Sequence, residues 1–170
     1  MSTCTATRSL SLSWMTRASQ RKKLRASGVI GIDPGRSSGG IAHVRGPGDC
    51  EAWKMPATIP DMWALIKKLA PNSHLGILEK VNAMPKQGVS STFKFGHSAG
   101  SLEALLVASG VPFVLVTPTK WQTALSCRTK GNKNITKEAA QRLFPSIKMT
   151  HALADALLLA EYGRRGHHEQ

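Results

Sequence analysis

The chain has 170 residues and carries 23 Lys and Arg against 10 Asp and Glu, giving a formal net charge of +13 and a pI near 10.3. That length suits one well-cored domain, and no apolar run reaches the roughly 18 to 20 residues of a spanning helix, which excludes an integral helical membrane protein. The charge imbalance points to a polyanionic partner, either nucleic acid or a competing anionic membrane surface.

Residues 1–27 are rich in Ser, Thr and Arg, with six basic residues and no acid. Three readings stand side by side: an organellar transit peptide, a disordered basic arm lying on phosphates, or a start codon placed too far upstream. Without this stretch the remainder still holds 17 basic against 10 acidic residues, so the nucleic-acid inference does not depend on it. The cysteines, Cys4, Cys50 and Cys127, are odd in number and widely spaced. They suggest neither a disulfide framework nor a zinc knuckle, and they fit a reducing compartment.

The folded part is expected over residues 28–166, with a short tail at 167–170. Gly28 to Ala42 reads as a buried strand delivering Asp33, a Pro34-Gly35 turn, and a second strand returning beside the first. A carboxylate in an apolar strand is costly unless a cation compensates it, although an Asp-Pro-Gly turn cap is also ordinary chemistry. Residues 49–55 make a third strand, closed by Pro56, and Ile59 to Leu69 an amphipathic helix. His74 to Val81 is a strand interrupted by a second acid, Glu79.

Met84 to Gly100 reads as a loop passing into a helix that Gly110 stops. In it Phe93 and Phe95 are interleaved by Lys94, an aromatic and basic pattern able to clamp a nucleic-acid strand, with Lys86 a further basic candidate; the competing reading makes the Phe residues anchors for a long loop. A strand at Val111 to Val116 leads through Thr117-Pro118-Thr119 into a helix bearing Lys120 and Trp121. A basic linker follows with Arg128, Lys130 and Lys133, then helices over 134–144 and 149–162. The last contains His151 and Asp155 four residues apart, on one face. Together with Lys80, the linker residues are candidate phosphate contacts. The element order predicts an α/β layered domain with a mixed sheet.

Asp33, Glu79 and Asp155 thus come from two strands and a helix, each in an apolar context. Converging carboxylates repel and shift toward protonation unless divalent metal holds them ionised. Oxygen ligands favour Mg²⁺ or Mn²⁺, and in a basic protein that combination suggests two-metal phosphodiester chemistry. The alternative gives each acid a separate role as turn cap, salt-bridge partner of Lys80, or helix-face ion pair.

Gly31-Ile32-Asp33-Pro34-Gly35, Leu78-Glu79-Lys80-Val81 and His151-Ala152-Leu153-Ala154-Asp155-Ala156-Leu157 resemble the three signature segments of the RuvC family of Holliday-junction resolvases, especially its phage-type members. The resemblance spans about residues 28–165. It implies a ribonuclease-H-like fold with a mixed five-stranded sheet flanked by helices, and a homodimer using the helix from about Ser91 to Ser109. It also implies paired nicks across a four-way DNA junction in recombination and repair, in the cytoplasm of a bacterium or phage-infected host unless residues 1–27 direct import into an organelle.

By the same resemblance Asp33, Glu79, Asp155 and His151 hold two Mg²⁺ ions per active site, with Mn²⁺ able to substitute, and Lys137 matches a lysine that neutralises the scissile phosphate. Two positions depart from the family pattern. Asn82 stands where an aromatic wedge is common, leaving Met84, Phe93 or Phe95 as substitutes, and Gln122 stands where a first lysine is expected, with Lys120 nearby. A branched-DNA nuclease of broader range and a non-catalytic junction-binding module remain the alternatives.

Overall fold

The computed structural model describes residues 27–35, 38–80 and 88–167. The expected extension and tail therefore lie outside the described residues, apart from Ser27 and His167, and so do Asn82, Met84 and Lys86. Five strands form one mixed sheet: β1 Gly28–Asp33, β2 Gly40–Gly46, β3 Asp49–Lys54, β4 Ser73–Glu79 and β5 Phe113–Val116, in the order β3-β2-β1-β4-β5. The first three make an antiparallel meander, whereas β4 and β5 add parallel to β1. The helices are α1 Ile59–Leu69, α2 Val89–Ser109, α3 Pro118–Ala124, α4 Asn134–Leu143 and α5 His151–Arg164. The α/β class and mixed sheet are as the sequence predicts.

Strand alternation divides the core into two layers. On β1, Ile30 and Ile32 face α1 and α2, where they meet Met62, Ile66, Leu102 and Leu106. Val29 faces the opposite way with Ile77 of β4, against Leu157 to Ala160 and Tyr162 of α5. Asp33 falls on the α5 side by the same alternation, and so does Glu79, two residues after Ile77. Central strands covered on both faces read as continuous apolar runs, so the two acids stand out against their surroundings in the sequence.

α5 is apolar nearly all round because it is buried on most sides, between the sheet and α4. Each fully buried leucine among Leu157, Leu158 and Leu159 contributes about 2 kcal/mol relative to exposure. The helix sits unusually close to the sheet. A Cβ on Gly31 would lie 2.1 Å from the Ala156 carbonyl oxygen, and one on Gly40 2.5 Å from that of Ala152. At the other end, a Cβ on Gly163 would meet Val29 and Ile77 side chains at 2.9 and 2.6 Å. These three contacts orient α5: its amino terminus lies over the Asp33 end of β1 and its carboxyl terminus over the beginning of that strand.

Several boundaries differ from the sequence reading, and two of them bear on the site. The expected loop over 84–100 is helical from Val89 onward, close to the start at about Ser91 that the resemblance implies, so Phe93 and Phe95 stand on the first turns of α2. Gly, Ser and Thr dilute the helical signal there; packing supplies what propensity lacks, since Ser98, Ala99, Leu102 and Leu106 are buried at helical spacing. The β4 strand ends at Glu79, because its last ladder partner is Val116, the end of β5.

Candidate active site

The parallel register pairs Ile32 with Leu78, so the next positions, Asp33 and Glu79, occupy adjacent carboxyl-terminal strand ends on one face. Neighbouring strands lie roughly 4.8 Å apart. Asp155, in the second turn of α5, descends onto the same place from the helix layer. Burial and neighbouring charge act on all three acids. Burial raises Asp33 to about 6, with Asp155 adding repulsion. Burial raises Glu79 to about 7, with repulsion from both Asp33 and Asp155. Asp155 is likewise raised, by burial.

Each carboxylate is oriented by a different device. The Gly35 amide donates to Asp33 Oδ1 at 3.2 Å, so the turn reading of Asp33 and its place beside the other acids are both realised. The indole N–H of Trp121, a residue with no exposed surface, donates to Glu79 Oε1 at 2.9 Å. A buried indole requires such a partner, and that requirement was the one signal in the sequence for this role of Trp121. Thr136 lies beside Asp155 and favours its ionised form, while its hydroxyl donates to the Lys133 carbonyl oxygen at 3.1 Å. Asp155 Oδ1 is buried without a hydrogen-bond partner among the described residues.

Positive charge reaches the acids from one lysine above all. Lys133, the residue preceding α4, draws Asp33, Glu79 and Asp155 toward their ionised forms. Lys137 lies one turn further along the same helix. His151, exposed at the start of α5, acts on Asp155 alone of the three. Helix capping there falls to Thr150, whose hydroxyl accepts from the Leu153 amide at 3.3 Å, so His151 is not needed as the cap.

The remaining basic candidates follow the same strand ends. Lys80 comes directly after β4 and its amide donates to the Val116 carbonyl at 2.8 Å; Lys120 is exposed on α3, after β5. Arg128 and Lys130 are exposed on the connection to α4. Lys130 (φ 43°) and Gly131 (φ 93°) form the left-handed centre of a turn closed by the Asn132 amide and Thr129 carbonyl at 2.7 Å. Gln122, at the position where the resemblance expects a lysine, instead accepts the Thr129 amide at 3.3 Å through its side chain. Phe93 is 73% exposed and so does not anchor a loop to the body; Lys94 beside it is also exposed.

Among the described residues, no group of three or more His, Cys, Asp or Glu side chains is arranged to hold a metal ion. The donor chemistry nevertheless suits a hard cation: three carboxylates, two of them raised to about 6 and about 7, and one buried oxygen with no partner among the described residues. Mg²⁺ is commonly held by only one or two carboxylates, with water and substrate phosphate completing its shell.

Trp121→Phe is expected to destabilise the protein by about 2 kcal/mol at a pH where Glu79 is ionised, the worth of a buried hydrogen bond to a charged group. The loss should shrink at acidic pH, where the carboxyl is neutral in either protein. Urea midpoints at both pH values check this, and an equal loss at both would assign the effect to packing alone.

Parallel β1, β4 and β5, an antiparallel meander on one side and α5 laid across the Asp33 end of β1 give this chain the α/β fold of solved RuvC structures. The solved structure of Thermus thermophilus RuvC in complex with a Holliday junction substrate is similar to this chain with a TM-score of 0.61 and 21% identity, covering 82% of this chain and 97% of that one. A second Thermus thermophilus RuvC structure is similar with a TM-score of 0.56 and 20% identity, covering 82% and 96%. No protein-family model and no curated protein matches the sequence.

Proposed function

We propose that this protein is an endonuclease that resolves four-way DNA junctions by paired phosphodiester cleavage. The observation that carries the reading is the convergence of Asp33, Glu79 and Asp155 under the charge of Lys133. A basic surface and a fold shared with a protein solved on a Holliday junction support it.

In this reading the residues divide the work. Asp33, Glu79, Asp155 and His151 would hold two Mg²⁺ ions, or Mn²⁺ in their place, and these would activate water and stabilise the leaving oxygen. Trp121 and Gly35 fix the directions of Glu79 and Asp33, so the donor set is organised before substrate arrives. Lys133, with Lys137 behind it, offsets the charge brought by the scissile phosphate. Lys80, Lys86, Lys120, Arg128 and Lys130 track the flanking backbone, while Phe93 and Lys94 present a stacking and clamping pair.

Paired cutting needs two sites, and α2 offers the surface for a second copy. Val89 is 88%, Phe93 73% and Val107 69% exposed. With Gly96, Gly100 and Ala104 they fall within about 80° of one another around the axis. Large apolar side chains flanking a small-residue centre suit close, self-complementary helix packing about a two-fold axis. Such a dimer and a reducing, cytoplasmic setting belong to the same proposal.

The test is incubation with Mg²⁺ and a labelled four-way junction, a Y-fork and a linear duplex, with cut positions mapped and sedimentation run in parallel. Symmetric nicks on the junction by a dimer are expected. Equal cutting of all three substrates would replace the proposal with a nuclease of broader range. No nicking of any would reduce the protein to a junction-binding module.

A further inference from the structure

The turn that follows Asp33 is held from the opposite layer of the molecule. Pro34 is buried, and its carbonyl oxygen accepts a hydrogen bond of 3.0 Å from the hydroxyl of Ser98, 64 residues later, on α2. Ser98 itself is only 5% exposed. A serine inside a helix ordinarily returns its proton to a carbonyl of the preceding turn, as Ser101 does to His97 at 2.8 Å. Ser98 instead spends its only proton on the residue next to a candidate catalytic acid.

Gly35 and Gly39 are held to each other and to the chain beside them. The Gly39 amide donates to the Gly35 carbonyl at 2.7 Å, and the Gly39 carbonyl accepts from Met55 at 3.0 Å. A Cβ on Gly39 would lie 2.2 Å from the Asp33 carbonyl oxygen. Gly35 and Gly39 are thus tied together beside Asp33, and Ser98 supplies the bond from α2 to the Pro34 carbonyl between them. A buried carbonyl without its donor seeks another partner, and the turn carrying the carboxylate moves with it.

We propose that Ser98 is a positioning residue: its hydrogen bond to the Pro34 carbonyl sets the place of the Asp33 carboxylate and ties it to the seating of α2. The role in catalysis rests on the nuclease reading above; the role in holding the turn does not. Because α2 also carries the exposed apolar stripe, whatever seats that helix acts on Asp33 through this bond.

The experiment compares Ser98→Ala, Ser98→Thr and the control Ser101→Ala with wild type in two measurements. Ser98→Ala improves intrinsic helix propensity, so a loss cannot come from a weakened helix. Amide hydrogen exchange at Gly35 and Gly39, read without metal or DNA, is expected to quicken in Ser98→Ala and to stay at the wild-type rate in Ser98→Thr and Ser101→Ala. Junction nicking at saturating Mg²⁺ and DNA is expected to fall about ten-fold in Ser98→Ala, with junction affinity unchanged and Ser98→Thr restoring the rate. Unchanged exchange in Ser98→Ala overturns the proposal whatever the activity. Faster exchange in a protein whose wild type nicks no branched DNA sustains the positioning role and discards the nuclease reading. Faster exchange with full nicking overturns the catalytic part.

Discussion

Asp33→Asn is expected to lower Mg²⁺-dependent junction nicking at least about a thousand-fold, the scale on which removal of one member of a catalytic set is felt, while junction binding persists. The side chain keeps its shape and still accepts from Gly35, so the turn is retained. What disappears is one negative charge from a place where repulsion and burial have been concentrated. Phosphate contacts come from Lys and Arg on other segments, so a gel-shift or anisotropy titration should match wild type. Nicking at the wild-type rate by Asp33→Asn, with Mg²⁺ present, would remove Asp33 from the mechanism and with it the two-metal reading.

The second large effect concerns stability and follows from the direction of the titrations. Both Asp33 and Glu79 are raised, to about 6 and about 7, so the folded state holds these protons more tightly than the unfolded chain does. Below about pH 4 both states are protonated and the acids cost nothing. As pH rises toward about 7 the folded protein must ionise buried, mutually repelling groups, and the metal-free protein loses stability. A shift of the size seen at Glu79 corresponds to roughly 3 kcal/mol. Glu79→Gln should abolish most of that slope, and subtracting its curve removes other titrating groups such as His43, which burial lowers and which therefore acts in the opposite sense. Added Mg²⁺ should restore wild type above about pH 7 and leave Glu79→Gln less affected. Denaturation midpoints in chelator and in Mg²⁺ read this without any substrate, and a wild type no more pH-sensitive than Glu79→Gln would contradict the coupled acid site.

The legible parts of this protein were those in which chemistry and local pattern conflict. An acid inside an apolar run is visible without coordinates, which is why Asp33, Glu79 and Asp155 could be singled out from three distant segments. Trp121 and Ser98 conflict with nothing nearby in sequence, and their partners lie 42 and 64 residues away. Lys133 reads as one of several linker cations, and its action on all three acids follows only from how the linker returns over the strand ends. The start of α2 was hidden for a related reason: its Gly and Ser content argues against a helix until the buried stripe of Ser98, Ala99, Leu102 and Leu106 is matched to a partner layer.

By itself the sequence determined the α/β class, the strands and most helices, the basic character and the identity of the three acids, because these depend on periodicity, charge and the cost of burying a carboxylate. Tertiary structure alone decided that the acids share one region of the fold. Two strand ends became neighbours through the parallel β1–β4 register, and glycines at 31 and 40 let α5 approach closely enough to bring Asp155 down beside them. Those contacts join residues remote in the chain, and no local preference encodes them.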